Sequence, residues 1–374
     1  MILRHLSVIN YKNISEADLE LSSNVNCFVG ANGMGKTNVL DAVYFLSFCK
    51  SSISGNADAL NMKHDADFFF LQGEYESDNN VKELVSCGAK RGSRKHLKRN
   101  DREYKRLSEH IGVVPLVMIS PNDISLVQEG SDERRRFMNA VISQLSMPYL
   151  EAVMRYEKTL KQRNSLLRAE EEPDSGVMDA LEMLMAKDAA IIYKERQDFV
   201  TAFQPLFNDL YHTFSPMSDE VVDLSLTSHA DRGDLAVLLR EGRVKERIVG
   251  YSLYGPHRDD LQMTIKGYPI RREGSQGQAK TFVTALKLAQ FLYLKERCHS
   301  RTPILLLDDI FDKLDAQRVE RIVNYVSGNA FGQIFITDTN RKHIDSILAA
   351  TNREFKLFEV ENGVVKVIQQ QQQS

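Results

Sequence analysis

Apolar and polar residues alternate through the first thirty positions, at Leu3, Leu6 and Val8 and again at Leu19 and Leu21, before the short apolar run Val25 to Val29. Period-two alternation predicts two or three strands, the last of them buried. Apolar residues then recur at helical spacing from Val39 to Leu46, and the pattern fades near Ser51-Ser52-Ile53-Ser54-Gly55. Alternation returns at Phe68–Tyr75 and Lys82–Cys87, on either side of Asp78-Asn79-Asn80, and predicts an antiparallel pair. Val113 to Ile119 reads as one more apolar strand, stopped by Ser120-Pro121.

Beyond that proline the period changes to the helical one. Ser131-Asp132-Glu133 is a helix start with acids in the first turn, followed by a stripe at Phe137, Val141, Ile142 and Leu145. Pro148 can open a second helix, running to Leu167, and a third carries Met178 to Phe199 and beyond. Residues 122–248 therefore read as a helical insertion with a short strand near Val221–Leu224, and no heptad is sustained long enough for a long coiled coil. Sheet character resumes at Leu261–Ile265, with a helix over 275–298, a buried strand Pro303–Asp309, a helix over 316–326, a strand Gln333–Thr337 and two short strands over 354–368. Apolar strands alternating with helices predict an α/β head, split into 1–121 and 249–368 by the insertion. Residues 369–374, a Gln run and a serine, are expected to be a disordered tail.

Composition narrows this only slightly. The chain has 374 residues, 43% hydrophobic and 26% charged, as in ordinary globular proteins. A net charge of −3 means that any nucleic-acid contact must come from a local basic patch. Cys27, Cys49, Cys87 and Cys298 lack metal-ligand spacing and read as buried thiols of a reducing compartment. The first residues form no signal-peptide core and no apolar run is of membrane-spanning length, so a cytoplasmic protein is expected.

Candidate chemistry centres on Gly30-Ala31-Asn32-Gly33-Met34-Gly35-Lys36-Thr37, a G-x-x-x-x-G-K-T loop between a strand and a helix. Glycines let successive N–H groups converge on a phosphate, the helix start adds partial positive charge, Lys36 suits the β- and γ-phosphates of ATP, and the Thr37 hydroxyl suits Mg²⁺. Asp308, closing an apolar strand, is the second nucleotide-site signal, a carboxylate for Mg²⁺. Asp309 stands where a carboxylate could polarise water, or is a turn residue. The most basic stretch, Lys90 to Arg106, has Asn100-Asp101 as a turn and so predicts a charged hairpin. Arg94, Lys95, Lys98, Arg99 and Arg102 could contact DNA phosphates, or the charges could simply keep a sheet edge solvated.

Further stretches carry a resemblance. Ser275-Gln276-Gly277-Gln278, opening a helix, resembles the S-x-G-Q signature of ABC-type ATPases, and Phe311-Asp312-Lys313-Leu314-Asp315 resembles their D-loop. Leu6 to Asn13, Val117 to Asp123 and Tyr254-Gly255-Pro256-His257-Arg258-Asp259-Asp260-Leu261 are similar to segments of the RecF family. These matches run through the chain in order. The resemblance implies an ABC-type, SMC-like ATPase head, with Ser275, Gly277, Gln278 and Asp315 completing the ATP site of a partner copy. It also implies an ATP-dependent homodimer on DNA, duplex or single-/double-strand junction, that acts with RecO and RecR in placing RecA on single-strand gaps. Weak DNA-dependent ATPase activity and roles in replication and SOS induction follow from the same resemblance. Lys12 stands where that pattern usually has Arg, and Thr337 where many ABC ATPases carry a switch His. His257 and Arg258 could form a hydrogen-bonded turn or contact phosphate. The competing readings are a transporter's nucleotide-binding subunit and an SMC-like ATPase coupled to a nuclease.

Overall fold

The structure, a computed structural model, describes residues 1–215, 220–298, 301–310, 316–328, 330–350 and 353–371. The chain divides into two compact units, Met1–Asp123 with Lys287–Ser374, and Ile124–Leu286. The first unit begins with β1 (Ile2–Tyr11), β2 (Ile14–Glu20), β3 (Val25–Val29), α1 (Lys36–Phe48), β4 (Phe68–Glu76), β5 (Lys82–Lys90), β6 (His96–Arg99), β7 (Arg102–Glu103) and β8 (Leu116–Ile119). The second holds α2 (Ser125–Gln128), α3 (Ser131–Ile142), α4 (Met147–Leu167), α5 (Ser175–Phe214), β9 (Val222–Thr227), α6 (Leu235–Val249), β10 (Asp260–Ile265), β11 (Tyr268–Pro269), α7 (Ile270–Glu273) and the start of α8 (Gln276–Arg297). The first unit resumes with β12 (Ile304–Asp308), α9 (Ala316–Ser327), β13 (Ile334–Asp338), α10 (Arg341–Ala350), β14 (Phe355–Glu361) and β15 (Val364–Gln371).

Two sheets make the first unit. One is antiparallel, in the order β2-β1-β4-β5-β6-β7; the other runs β15-β14-β3-β13-β12-β8. Helix α1 lies between them, touching β1, β4 and β5 on one side and β8, β12 and β13 on the other. That placement explains why α1 is buried on most of its surface rather than along one stripe. It also explains the two strand patterns. Strands β3, β8, β12 and β13 are buried at every position, whereas β4 and β5 alternate buried and accessible residues. On the far face, Val323, Val326 and Ile347 close over Val25, Leu307, Ile334 and Ile336. Strands β14, β3, β13, β12 and β8 are mutually parallel, so their C-terminal ends share one edge. Ligand sites of α/β sheets form at that edge.

In the second unit α4 and α5 pack as a helical hairpin beside the three-stranded sheet β11-β10-β9. The hairpin core is charged as well as apolar. Arg163, fully buried, pairs with Glu182 at 2.8 Å and Glu246 at 2.7 Å and donates to the Ser252 hydroxyl at 2.8 Å.

Three expectations change. The second boundary falls after Leu286 rather than at 248. The reason is pairing: β10 lies on β9 from Asp260↔Thr227 to Ile265↔Val222, and Asp259 and Asp260 are held by Arg196 and Arg134, both at 2.6 Å. The glutamines are not all tail. Gln369, Gln370 and Gln371 pair with Leu357, Lys356 and Phe355, because a backbone ladder needs only N–H and C=O groups; residues 372–374 lie outside the described residues. Cys298 is half-buried, unlike the other three thiols, and burial pushes it up to about 11.

Candidate nucleotide-binding site

The loop Gly30–Thr37 leaves β3 at the shared C-terminal edge and enters α1. Gly33 and Gly35 have φ of 81° and 112°, which residues with a Cβ avoid. Gly30 is required for space, since a Cβ there would stand 2.3 Å from the Val360 carbonyl oxygen. Helix α1 has no side-chain cap and no acid in its first turn, so its leading N–H groups and positive end are left for an anion. The Lys36 ammonium, on a buried side chain, donates to the Gly30 and Ala31 carbonyls at 2.9 and 3.0 Å. These are neutral acceptors, so its charge stays uncompensated within the loop.

Asp308 ends β12 beside the loop. Its Oδ1 accepts the Thr37 hydroxyl at 2.9 Å and the Thr337 hydroxyl at 2.7 Å. Burial raises its pKa above the ordinary value; the two threonine hydrogen bonds and the Lys36 charge pull the other way. Asp309 follows in a left-handed turn, φ 45°, and its N–H donates to Thr337 Oγ1 at 3.0 Å. Thr337 thus braces both acids. It lies directly across the ladder from Asp308. At the position where an imidazole is common, this chain has a hydroxyl with a different job. Thr37 and Asp308 offer hard oxygen ligands only, a donor set suited to Mg²⁺. Among the described residues no group of three His, Cys, Asp or Glu could hold another metal.

Two supports had little sequence signal. Asn13, in the turn after β1, donates from its amide to the Met34 carbonyl at 3.0 Å and accepts from Asn38 at 2.7 Å, clamping the loop from outside. Asp41, one helical turn after Thr37, is fully buried and takes the Tyr11 hydroxyl at 2.6 Å, both Ser51 and Ser52 hydroxyls, and the Lys12 ammonium at 2.6 Å. Lys12 is therefore occupied in fastening β1 to α1.

The signature residues belong to the second unit. Ser275 caps α8 in a reciprocal box: its hydroxyl accepts from the Gln278 N–H at 3.2 Å, and its own N–H donates to the Gln278 side chain at 2.7 Å. Gly277 accepts from the Thr281 hydroxyl at 3.0 Å. Ser275 is exposed, so this helix start is accessible. Asp315 and the rest of 311–315 lie outside the described residues. His257 and Arg258 build a hydrogen-bonded turn, from which Arg258 is exposed. Tyr156 donates to His257 Nδ1 at 2.7 Å, and both His257 Nε2 and Arg258 donate to the Ser252 carbonyl. Burial lowers the His257 pKa to about 4, so the ring is neutral.

The basic stretch forms the expected hairpin, β6 and β7, turned through Asn100 and Asp101 at φ 49° and 63°. Its cations are not equivalent. Lys95 is buried, paired with Asp58 at 2.9 Å and set over the Phe45 ring, which corrects its assignment to DNA. Arg99 is half-buried and paired with Glu83 at 2.8 Å. Arg94, Lys98 and Arg102 are exposed.

Comparison with known proteins gives the family and the fold. The model of the RecF/RecN/SMC N terminal domain matches residues 2–366. A protein of Phocaeicola vulgatus named DNA replication and repair protein RecF is 53% identical over 365 residues, 98% of each chain. The chain belongs to the RecF family. Another RecF, from Bacteroides fragilis, is 51% identical over the full length of both chains. A solved structure of the recombination mediator protein RecF with ATPrS, in the RecFOR pathway, superposes with a TM-score of 0.88 at 27% identity and covers 98% of each chain. This RecF-family chain therefore has the ABC-type ATPase head expected of it. Among its described residues no helix is long and apolar enough to cross a membrane.

Proposed function

We propose that this RecF-family chain is an ATP-dependent DNA-binding protein of recombinational repair and replication. ATP joins two copies on DNA at single-strand gaps, where they assist RecA loading with RecO and RecR in the cytoplasm. Slow, DNA-dependent hydrolysis resets the clamp. The observation that carries the reading is the meeting of Thr37, Asp308 and Thr337 beside a loop whose lysine rests on neutral carbonyls. Lys36 and the loop N–H groups would hold the β- and γ-phosphates, and Thr37 with Asp308 would hold Mg²⁺. Bound there, Mg²⁺ supplies charge neutralisation for phosphoryl transfer. Asp309, positioned through Thr337, polarises the attacking water. The accessible α8 start, capped by Ser275, supplies N–H groups to the γ-phosphate of a partner's ATP. Arg94, Lys98 and Arg102 supply DNA phosphate contacts.

The tests separate these steps. Asp309→Asn should bind ATP normally, hydrolyse it at least about 100-fold more slowly and accumulate as a dimer in light scattering; wild-type turnover would remove Asp309 from the chemistry. Ser275→Arg should keep monomer ATP affinity and block dimerisation. Mixed with Lys36→Ala it should regain ATPase activity, because one of the two composite sites is then intact. Loss of ATP affinity in the Ser275→Arg monomer would place Ser275 in a cis site and sink the clamp.

A further inference from the structure

The antiparallel sheet turns one face to α1 and leaves the other accessible. Alternation sends Phe69, Leu71, Val85, Cys87, Ala89 and Leu97 inward. The outward positions carry an unusual set for a wet sheet face. Two phenylalanines stand there, Phe70 partly buried and Phe68 47% exposed. Cross-strand register aligns Ile9, Phe70, Gly88 and His96 in one row, and Gln72, Ser86 and Lys98 in the next, with Phe68 opposite Lys90. Gly88 has no side chain to fill the middle of its row, and a Cβ there would stand 3.6 Å from the Phe70 ring, an ordinary contact. The gap is a groove of about 730 Å³, floored by Gly88 and reaching Lys90, Ser93, Arg94 and Lys98. Lys90 and Lys98 make no ion pair among the described residues, and Arg94 donates only to the Lys105 carbonyl. The acids nearby are Asp101, on the rim; Glu103, which lies opposite Lys98 in the ladder and holds His96 at 2.7 Å; Asp67, beside Phe68 and 3.9 Å from Arg91; and Glu16, opposite Ile9 at the far end of the Phe70 row.

We propose that this groove is a stacking shelf for unpaired nucleotides, with bases on Phe68 and Phe70 and phosphates on Lys90, Arg94 and Lys98. The inference rests on the DNA-binding reading and adds to it a place on the fold and a second kind of contact. Cations alone would suit any polyanion. Exposed aromatic rings beside unpaired lysines suit a ligand that alternates planar apolar rings with negative charge, and single-stranded nucleic acid does this. A duplex keeps its base faces stacked on one another and can offer this face only phosphates.

The chain contains no tryptophan, so Phe68→Trp installs a single fluorophore on the shelf. Titrating that full-length variant with oligo(dT) should quench its emission. Phe68→Ala and Phe70→Ala should each weaken oligo(dT) binding about tenfold, with the slope of affinity against salt unchanged and duplex affinity retained. Gly88→Leu, which removes no contact and fills the groove, should produce the same loss, while Phe70→Tyr should bind as wild type. Lys98→Ala should instead lower the salt slope by about one unit. Oligo(dT) binding without quenching, equal losses for duplex, or quenching by polyglutamate would each overturn the shelf. Binding of duplex but not oligo(dT) would overturn the shelf and leave the DNA reading standing. Failure to bind either would overturn both.

Discussion

In the first unit the Lys36 ammonium rests on two backbone carbonyls and Asp308 accepts two threonine hydroxyls. In the second, Arg163 is matched by Glu182 and Glu246, and Arg196 by Asp259. Both arrangements hold their charges by short polar contacts, and they differ in whether those contacts carry opposite charge. Neutral dipoles orient a charge without cancelling it, so the first set can still attract a phosphate or a cation. Ion pairs cancel each other, and what remains is geometry. In the Gly255 to Asp260 stretch the neutral His257 and the acids Asp259 and Asp260 close on Tyr156, Ser252, Arg196 and Arg134 of the same unit, while the exposed Arg258 donates to the Ser252 carbonyl. A charge-rich motif is a site only where its charges are left exchangeable.

The largest effect that sharpens this contrast comes from the second unit. Arg163→Met leaves the Glu182 and Glu246 carboxylates buried with one cation fewer. It should lower unfolding stability by about 3–5 kcal/mol in denaturant titration, with unchanged ATP affinity in the folded fraction. A loss under about 1 kcal/mol would mean that these pairs, like surface ones, hold little together. Lys36→Ala reverses the pattern. It removes a charge that rests on two carbonyls and feels Asp308 only at long range, with no ion pair, so stability should move little. Nucleotide titration should show a loss of about 3 kcal/mol in ATP binding, roughly 100-fold. A large stability loss with intact ATP affinity would break the comparison outright.

Smaller changes probe the braces. Thr337→Val keeps the shape and deletes one hydroxyl from Asp308 and one acceptor from the Asp309 N–H. Steady-state ATPase activity should fall about tenfold, near 1.4 kcal/mol, while ATP affinity changes little. Unchanged turnover would reduce Thr337 to a packing residue. Acid should act on both units. Burial holds His110 in the first unit and His257 in the second near pKa 4, below the ordinary 6.5. Between those values the unfolded chain binds protons that the folded one refuses, so stability falls as pH drops, by at most about 1.4 kcal/mol per pH unit for each histidine. Asp308 and Asp259, raised by burial, act in the opposite sense. Unfolding at pH 7.5 and 5.0 should show this slope, reduced in His257→Gln. An unchanged slope in that variant would assign the acid sensitivity to other groups.

What the sequence determined by itself was local. The nucleotide loop is eight consecutive residues whose glycines, lysine and threonine carry their own geometry, and Ser275 with Gln278 is a capping box four residues long. Strand and helix periods were legible for the same reason: each repeats within one element. Register and layer order were not legible, because they depend on which segments meet. Asp308 and Thr337 touch only because β12 and β13 are parallel neighbours. Asn13 reaches the loop only because the turn after β1 folds onto it. The parity of β6 settled the basic hairpin. With α1 covering the inner face, Lys95 and Leu97 go toward the core, and His96 and Lys98 go out to the groove. The boundary at Leu286 and the strand made by the first glutamines had the same cause. Both follow from backbone partners supplied elsewhere in the chain, and a backbone ladder leaves no mark in the composition of the strand that joins it.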